Sequence, residues 1–118
     1  MIYLASPYSH KDPEVRFWRY TEACRVAAEL MVGGAIIFSP IAHTHPIAKY
    51  GKLDALDADF YLKFDKEFLR FSNGMWVLTL DGWKESYGIG VETNFAHEQG
   101  IQIKYIDPTT LELTHEGA

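Results

Sequence analysis

The sequence predicts an α/β protein: a three-layer α/β/α fold with a Rossmann-like or flavodoxin-like parallel sheet of four to five strands. Short apolar runs alternate with longer segments of helical periodicity, in the order β-α-β-α-β-α-β. Gly and Pro residues stand at the junctions, where chains turn. The chain has 118 residues and 47% of them are hydrophobic, so we expect a single domain over residues 1–118 with a true core.

The first strand is expected over residues 2–5, an apolar run that leads into a loop beginning with Ser6-Pro7. Asp12 followed by Pro13 is typical of a helix N-cap and a first helical position, so a helix is expected over residues 13–32. Its predicted apolar stripe consists of Phe17, Tyr20, Cys24, Ala27 and Met31.

The second strand is expected over residues 35–39, and residues 41–53 are expected to form a loop. A second helix follows over residues 56–71. Its predicted core stripe consists of Phe60, Phe64, Phe68 and Phe71. A separate polar stripe carries Asp57, Tyr61 and Asp65, while Asp57 and Asp59 suit a cap or a first turn.

The third strand is expected over residues 75–80 and the fourth over residues 101–106, with a helix over residues 88–99 between them. Residues 111–113 alternate in polarity, which suits an edge strand or an arm onto a partner.

Composition excludes several classes of function. The formal net charge of −5 argues against a general binder of nucleic-acid backbones, which requires a basic face. No apolar run reaches the roughly 18 residues of a membrane span, and the first residues lack the charged region of a signal peptide. The single cysteine cannot form an internal disulfide. We therefore expect a cytoplasmic protein without membrane contact.

Polar residues concentrate after the first three strands. In a parallel sheet these three loops open on one edge, where α/β proteins bind ligands. They carry the candidate binding residues Ser6, Ser9, His10, His43, His45, Trp83 and Ser86. Arg16 and Arg19 are further candidates for phosphate contacts, or are solvated helix charges. For His43 and His45, contacts to a base or phosphate, loop packing and a metal pair all stay open, although no third metal ligand is evident.

The most informative segment is Ser86-Tyr87-Gly88-Ile89-Gly90-Val91-Glu92. Gly88 and Gly90 leave the start of a helix open to a ligand, and the helix N–H groups point toward it. Glu92 then lies one turn into that helix, either as a functional carboxylate or as a charge that only favours the helix dipole.

Three features together resemble the nucleoside 2-deoxyribosyltransferase superfamily, which includes 2′-deoxynucleoside 5′-monophosphate N-glycosidases. They are Tyr3 in a Tyr-Leu-Ala-Ser-Pro first strand, Asp65 on the second helix, and Ser86-x-Gly-x-Gly-x-Glu92, within about residues 1–106. The resemblance implies that Glu92 is the nucleophile and that Tyr3 orients it. Asp65 is then expected to hold a sugar hydroxyl or to help protonate the departing base.

Two positions depart from the family pattern. The transferases commonly carry an acidic residue six positions before the nucleophile, where this chain has Ser86, which favours a 5′-phosphate on the ligand. The segment His43-Thr44-His45-Pro46 is not part of the general pattern and leaves the substrate open.

We therefore expect cleavage or base exchange at an N-glycosidic bond of a small nucleoside or nucleotide. A carboxylate can stabilise or capture the oxocarbenium-like charge, and a second acid can protonate the base, so no metal or cofactor is required. A non-catalytic nucleotide-binding module and a structural protein are the alternatives.

A homo-oligomer, most simply a dimer, is also expected. The domain is small and carries apolar side chains outside single stripes, such as Trp18, Val26 and Leu62. The resemblance implies the same, with a neighbouring subunit contributing to the pocket.

Overall fold

A computed structural model describes residues 1–116 of the chain. Residues 117 and 118 lie outside the described residues. The strands are β1 (Ile2–Ala5), β2 (Ile37–Phe38), β3 (Gly74–Leu78), β4 (Ile103–Ile106) and β5 (Leu113–Thr114). The helices are α1 (Pro13–Val32), α2 (Pro40–Gly51), α3 (Ala58–Arg70) and α4 (Tyr87–Glu98), with a short 3₁₀ turn at Trp83–Glu85.

The five strands form one sheet in the order β2-β1-β3-β4-β5. The first four strands are parallel, and β5 pairs antiparallel with β4. The chain runs outward from β1 to β2 and then returns to the other side of β1 as β3. Strand order therefore reverses between β1 and β3, the place where open α/β sheets bind ligands. The predicted fold class is confirmed.

Helices cover the two faces of the sheet. On one face, Tyr3 and Met75 pack with Leu69 of α3 and Ala96 of α4. On the other face, Leu4 and Ile106 pack with Val26 and Ala27 of α1. Neighbouring strand residues alternate between these two cores, as the pleat requires. Tyr3 consequently belongs to the core beneath α3 and α4.

The expected loop over residues 41–53 is wrong: most of it belongs to α2. Ser39 caps this helix by accepting a hydrogen bond of 3.2 Å from the N–H of Ala42, and Pro40 takes the first helical position. This is the same signature as Asp12-Pro13 at the start of α1. Pro46, which favoured a loop, lies inside the helix. The preceding strand is correspondingly shorter than expected.

The predicted core face of α3 is also wrong. Its buried residues are Leu62, Asp65 and Leu69, whereas Phe60 is 37% exposed and Phe71 is 77% exposed. Two sets of residues on this helix have helical spacing. Periodicity alone favoured the more aromatic set as the buried face. The phenylalanines instead contact one another or the edge of the sheet: Phe60 meets Phe64, and Phe68 stacks on Phe38 of β2.

The buried face of α1 differs from the prediction in a similar way. Ala23, Val26 and Ala27 are buried, whereas Phe17 and Met31 of the predicted stripe are exposed. Val26 and Leu62 are therefore covered within the chain and do not support an oligomer, whereas Trp18 is 46% exposed.

The remaining elements agree with their predictions more closely. The bounds of β3 and β4 lie within two residues of their predicted positions, and α4 begins one residue early. Asp57 caps α3 by accepting a hydrogen bond from the N–H of Phe60. Of the two expectations for the C-terminal segment, the edge strand is confirmed, because β5 pairs with β4 of the same chain. Within residues 1–116, the helices fall short of the length and apolarity needed to cross a membrane.

Candidate active site

The carboxyl group of Glu92 is the centre of the site. Ser86 caps α4 by accepting a hydrogen bond of 3.2 Å from the N–H of Ile89, which fixes where the helix begins. Glu92 is then one turn past Gly88, and only 4% of it is exposed. The hydroxyl of Tyr3 donates a hydrogen bond to Oε2 of Glu92. Because Tyr3 is fully buried in β1, an interior strand of the sheet, it holds the carboxyl group in one orientation.

A second carboxyl group faces the same cleft. Asp65 lies on the buried face of α3, and both Asp65 and Glu92 line the cleft. Residues from two helices and a central strand therefore bring two carboxyl groups and a phenol together at the predicted edge of the sheet.

Burial changes the protonation of both carboxyl groups. Burial raises the pKa of Glu92 to about 8; the nearby charge of Asp65 raises it further, while the hydrogen bond from Tyr3 opposes the rise. Burial raises the pKa of Asp65 to about 7. Between about pH 7 and 8 the two carboxyl groups therefore hold one proton between them, and the higher pKa of Glu92 favours its presence there. One acid and one charged carboxylate are the combination that glycosidic cleavage uses.

The cleft holds about 590 Å³ of empty space, including its open mouth. Among the predicted site residues, those that line it are Ser6, Ser9, His45, Asp65, Ser86, Gly88 and Glu92. Tyr3 is in contact with Glu92.

Two positions favour a ligand close to Glu92. The Oγ of Ser6 is buried and has no hydrogen-bond partner within residues 1–116. A Cβ atom added at Gly88 would lie 3.9 Å from both Oε1 of Glu92 and Oγ of Ser86. The glycine therefore leaves open the space directly beside the carboxyl group.

His45 is held by aromatic neighbours. Its Nδ1 is hydrogen-bonded to the hydroxyl of Tyr8 at 2.7 Å, and its ring stacks on Tyr20 with centroids 4.0 Å apart. Burial, followed by the charges of Lys49 and Arg16, lowers the pKa of His45. The imidazole is thus neutral at physiological pH and offers a fixed polar wall.

Four predicted binding residues do not line the cleft. His43 is exposed and packs against Phe38 and Phe68. His10 accepts a hydrogen bond from the N–H of Asp12, Trp83 packs against Tyr105, and Gly90 is exposed on α4. His43 and His45 point to different surroundings because α2 is helical where a loop was expected. Residues 1–116 hold no group of three His, Cys, Asp or Glu side chains that could bind a metal ion together.

The sequence analysis missed several cleft residues, most of them on or beside α2 and α3. Tyr8 and Tyr61 supply hydroxyl groups, and Thr44 and Ala48 line the wall from α2. The Ser39-Pro40 helix signature was the available signal for the α2 residues. Arg19 does not line the cleft; it donates a hydrogen bond of 3.0 Å to the carbonyl oxygen of Ser9 and braces that loop.

The fold and site define a small α/β protein with a buried carboxyl pair at the reversal point of its sheet. The chain belongs to the family described as a domain of unknown function, DUF1937, which matches residues 1–107. The match spans the sheet through β4 and every residue of the cleft. A search of curated proteins gave no match.

Proposed function

We propose that the protein cleaves or exchanges the N-glycosidic bond of a nucleoside or nucleoside 5′-monophosphate, deoxyribose or ribose, as an enzyme of the nucleoside 2-deoxyribosyltransferase kind. One observation carries the proposal: the buried carboxyl group of Glu92, held by the hydroxyl of Tyr3, shares its cleft with Asp65. The order and spacing of these three residues in the chain are what resemble that superfamily.

In the proposed reaction, an oxygen of Glu92 forms a bond to the anomeric carbon of the sugar as the bond to the base nitrogen breaks. The electron pair of that bond goes to the base, and Asp65 supplies its proton. Water or a second base then attacks the anomeric carbon and releases Glu92, returning a proton to Asp65. The hydrogen bond from Tyr3 stabilises the charged form of Glu92 before the attack.

This division of roles requires one particular distribution of the proton, because the higher pKa of Glu92 favours the proton on Glu92 rather than on Asp65. With the shared proton on Asp65 and the charge on Glu92, the pair contains an acid and a nucleophile at the same pH. The alternative arrangement, with the proton on Glu92, is inactive. The second candidate function is the binding of a nucleotide without cleavage. The raised pKa of Glu92 favours it, because a protonated Glu92 does not act as a nucleophile.

The test is incubation with a panel of nucleosides and 5′-monophosphates, with and without an added free base, followed by chromatography. We expect a free base to appear, and a new nucleoside or nucleotide if a base is the acceptor. Tyr3→Phe should lower turnover and raise the pH at which Glu92 ionises, because it removes the bond to the charged form. Ligand binding without base release would support the binding module instead.

A further inference from the structure

A second recess adjoins the cleft on the side of α1 and α2. The two share four lining residues, among them Tyr8 and His45. The second recess also contains Arg16, from the first turns of α1, and Lys49, from the last turn of α2. With its mouth it holds about 490 Å³ of empty space. We call this recess the annex.

The two cations of the annex lack acidic partners. The ion pairs within residues 1–116 join Arg25 to Glu22 and Glu29, and Arg70 to Glu67; none involves Arg16 or Lys49. This is notable in a chain with 16 acidic and 11 basic residues. Arg16 donates a hydrogen bond to the carbonyl oxygen of His10, and it also acts on the hydroxyl of Tyr8. A guanidinium has five N–H donors, so most of its capacity is free for a ligand.

Both cations act on the boundary with the cleft. Lys49 and Arg16 line the annex together with His45, and after burial their charges contribute to the lowered pKa of its ring. The combined depression therefore has an acidic end, with Asp65 and Glu92, and a cationic end, with Arg16 and Lys49. A ligand with a negative group is oriented by this polarity, with that group away from Glu92.

We propose that the annex binds an anionic substituent of the ligand through Arg16 and Lys49. The substituent is a 5′-phosphate or a carboxylate on the base; either can accept charge-assisted hydrogen bonds. In naming the ligand class, the inference rests on the proposed function. Under this proposal Ser86 only caps α4. The negative group of the ligand is recognised at the cationic end of the depression, by Arg16 and Lys49.

The experiment measures binding by calorimetry to the Glu92→Gln protein, which keeps the ligand intact. Deoxyuridine is compared with its 5′-monophosphate, and uridine with orotidine, which carries a carboxylate on the base. The two ligands of each pair differ by one anionic group. The pair in which the anionic ligand binds more tightly than the neutral one therefore shows whether the annex takes the phosphate or the carboxylate. Lys49→Gln, Arg16→Gln and Ser86→Ala are each added to this background. Lys63→Gln is the control, because it removes the same charge from the exposed face of α3.

We expect Lys49→Gln to weaken binding of the anionic ligand roughly three- to tenfold, as for an exposed charged contact, and that of its neutral counterpart less than about twofold. Arg16→Gln should have a larger effect, and Lys63→Gln none. Equal losses for the neutral and anionic ligands would overturn the proposal. So would a preference for the anionic ligand that depends on Ser86 and not on Lys49.

A second measurement is independent of the nucleoside. Inorganic phosphate is titrated into the wild-type protein and followed by amide chemical shifts. We expect shifts around Arg16 and Lys49 that Lys49→Gln reduces, and their absence would also overturn the annex. If anion binding depends on Lys49 but no base is ever released, the annex stands and the proposed function fails. If base is released while both variants bind all ligands normally, the function stands and the annex fails.

Discussion

Replacing Glu92 by Gln should change the pH dependence of stability in a defined direction. Burial raises the pKa of Glu92 from 4.5 to about 8 in the folded protein. Between these values the unfolded chain has lost its proton and the folded protein keeps it, so the free energy of unfolding falls as pH rises. The stabilisation is complete below pH 4.5 and is lost as pH rises through about 8.

The size of the effect follows from the two pKa values. A pKa raised from 4.5 to about 8 corresponds to roughly 5 kcal/mol at about 1.4 kcal/mol per pKa unit. Gln cannot ionise and keeps an oxygen that accepts from Tyr3. The variant should therefore match the wild type near pH 4.5 and exceed its free energy of unfolding by several kcal/mol near pH 9.

The assay is urea unfolding, monitored by tryptophan fluorescence, at intervals across that pH range. Glu98→Gln is the matched control, because Glu98 is an exposed glutamate at the end of the same helix. Its curve should run parallel to that of the wild type. A Glu92→Gln curve that also runs parallel would refute the buried, proton-holding carboxyl group at the centre of the site.

Three further predictions concern the cleft and the surface. Gly88→Ala and Gly90→Ala should both fold, and each should gain about 1 kcal/mol of helix stability. Only Gly88→Ala should weaken ligand binding, at least tenfold by calorimetry, because its methyl group enters the space beside Glu92. Equal binding by both variants would contradict the ligand position. Base release should be greatest between about pH 7 and 8, where the two carboxyl groups hold one proton between them, falling at lower pH as they take up a second proton and at higher pH as they lose the last one; a rate that rises steadily up to pH 10 would contradict the shared-proton pair. The protein should form a dimer by light scattering at micromolar concentration, and Phe64→Ser should shift it to a monomer, because Phe64 is 46% exposed within a row of phenylalanines on α3; a wild-type monomer would contradict this.

The sequence was sufficient to predict the parallel sheet and the starts of several helices. Strands buried on both faces are short apolar runs, and caps such as Asp12 and Ser86 satisfy helix N–H groups that nothing else reaches. Because parallel strands end on one edge of the sheet, the order of the elements is enough to bring the loops after the first three strands together. The placement of Tyr3 and Asp65 beside Glu92 was implied by the family resemblance and not by topology.

What the sequence could not decide was which of two competing local signals would prevail. Pro46 indicated a loop, yet the Ser39-Pro40 cap and the packing of α2 against α1 prevailed. On α3, the aromatic stripe is the stronger hydrophobic signal, but the buried stripe contains Asp65, a charged residue that lowers its apparent hydrophobicity. A buried carboxyl group thus concealed the face of the helix that packs inward.

The misassigned helix also explains the missed part of the site. With α2 treated as a loop, His43 and His45 were both candidates for the site, and the wall formed by Thr44 and Ala48 was not predicted. In the helix, His43 and His45 are two residues apart and so lie on different faces, where only His45 reaches the cleft.

The most direct test of the central claim is the rate of base release by the wild type, Glu92→Gln and Glu98→Gln with the best 5′-monophosphate. If Glu92 is the nucleophile, its variant should lose about 10³-fold or more of the rate while remaining folded, and Glu98→Gln should keep the wild-type rate. Base release by Glu92→Gln within about tenfold of the wild type would contradict the account.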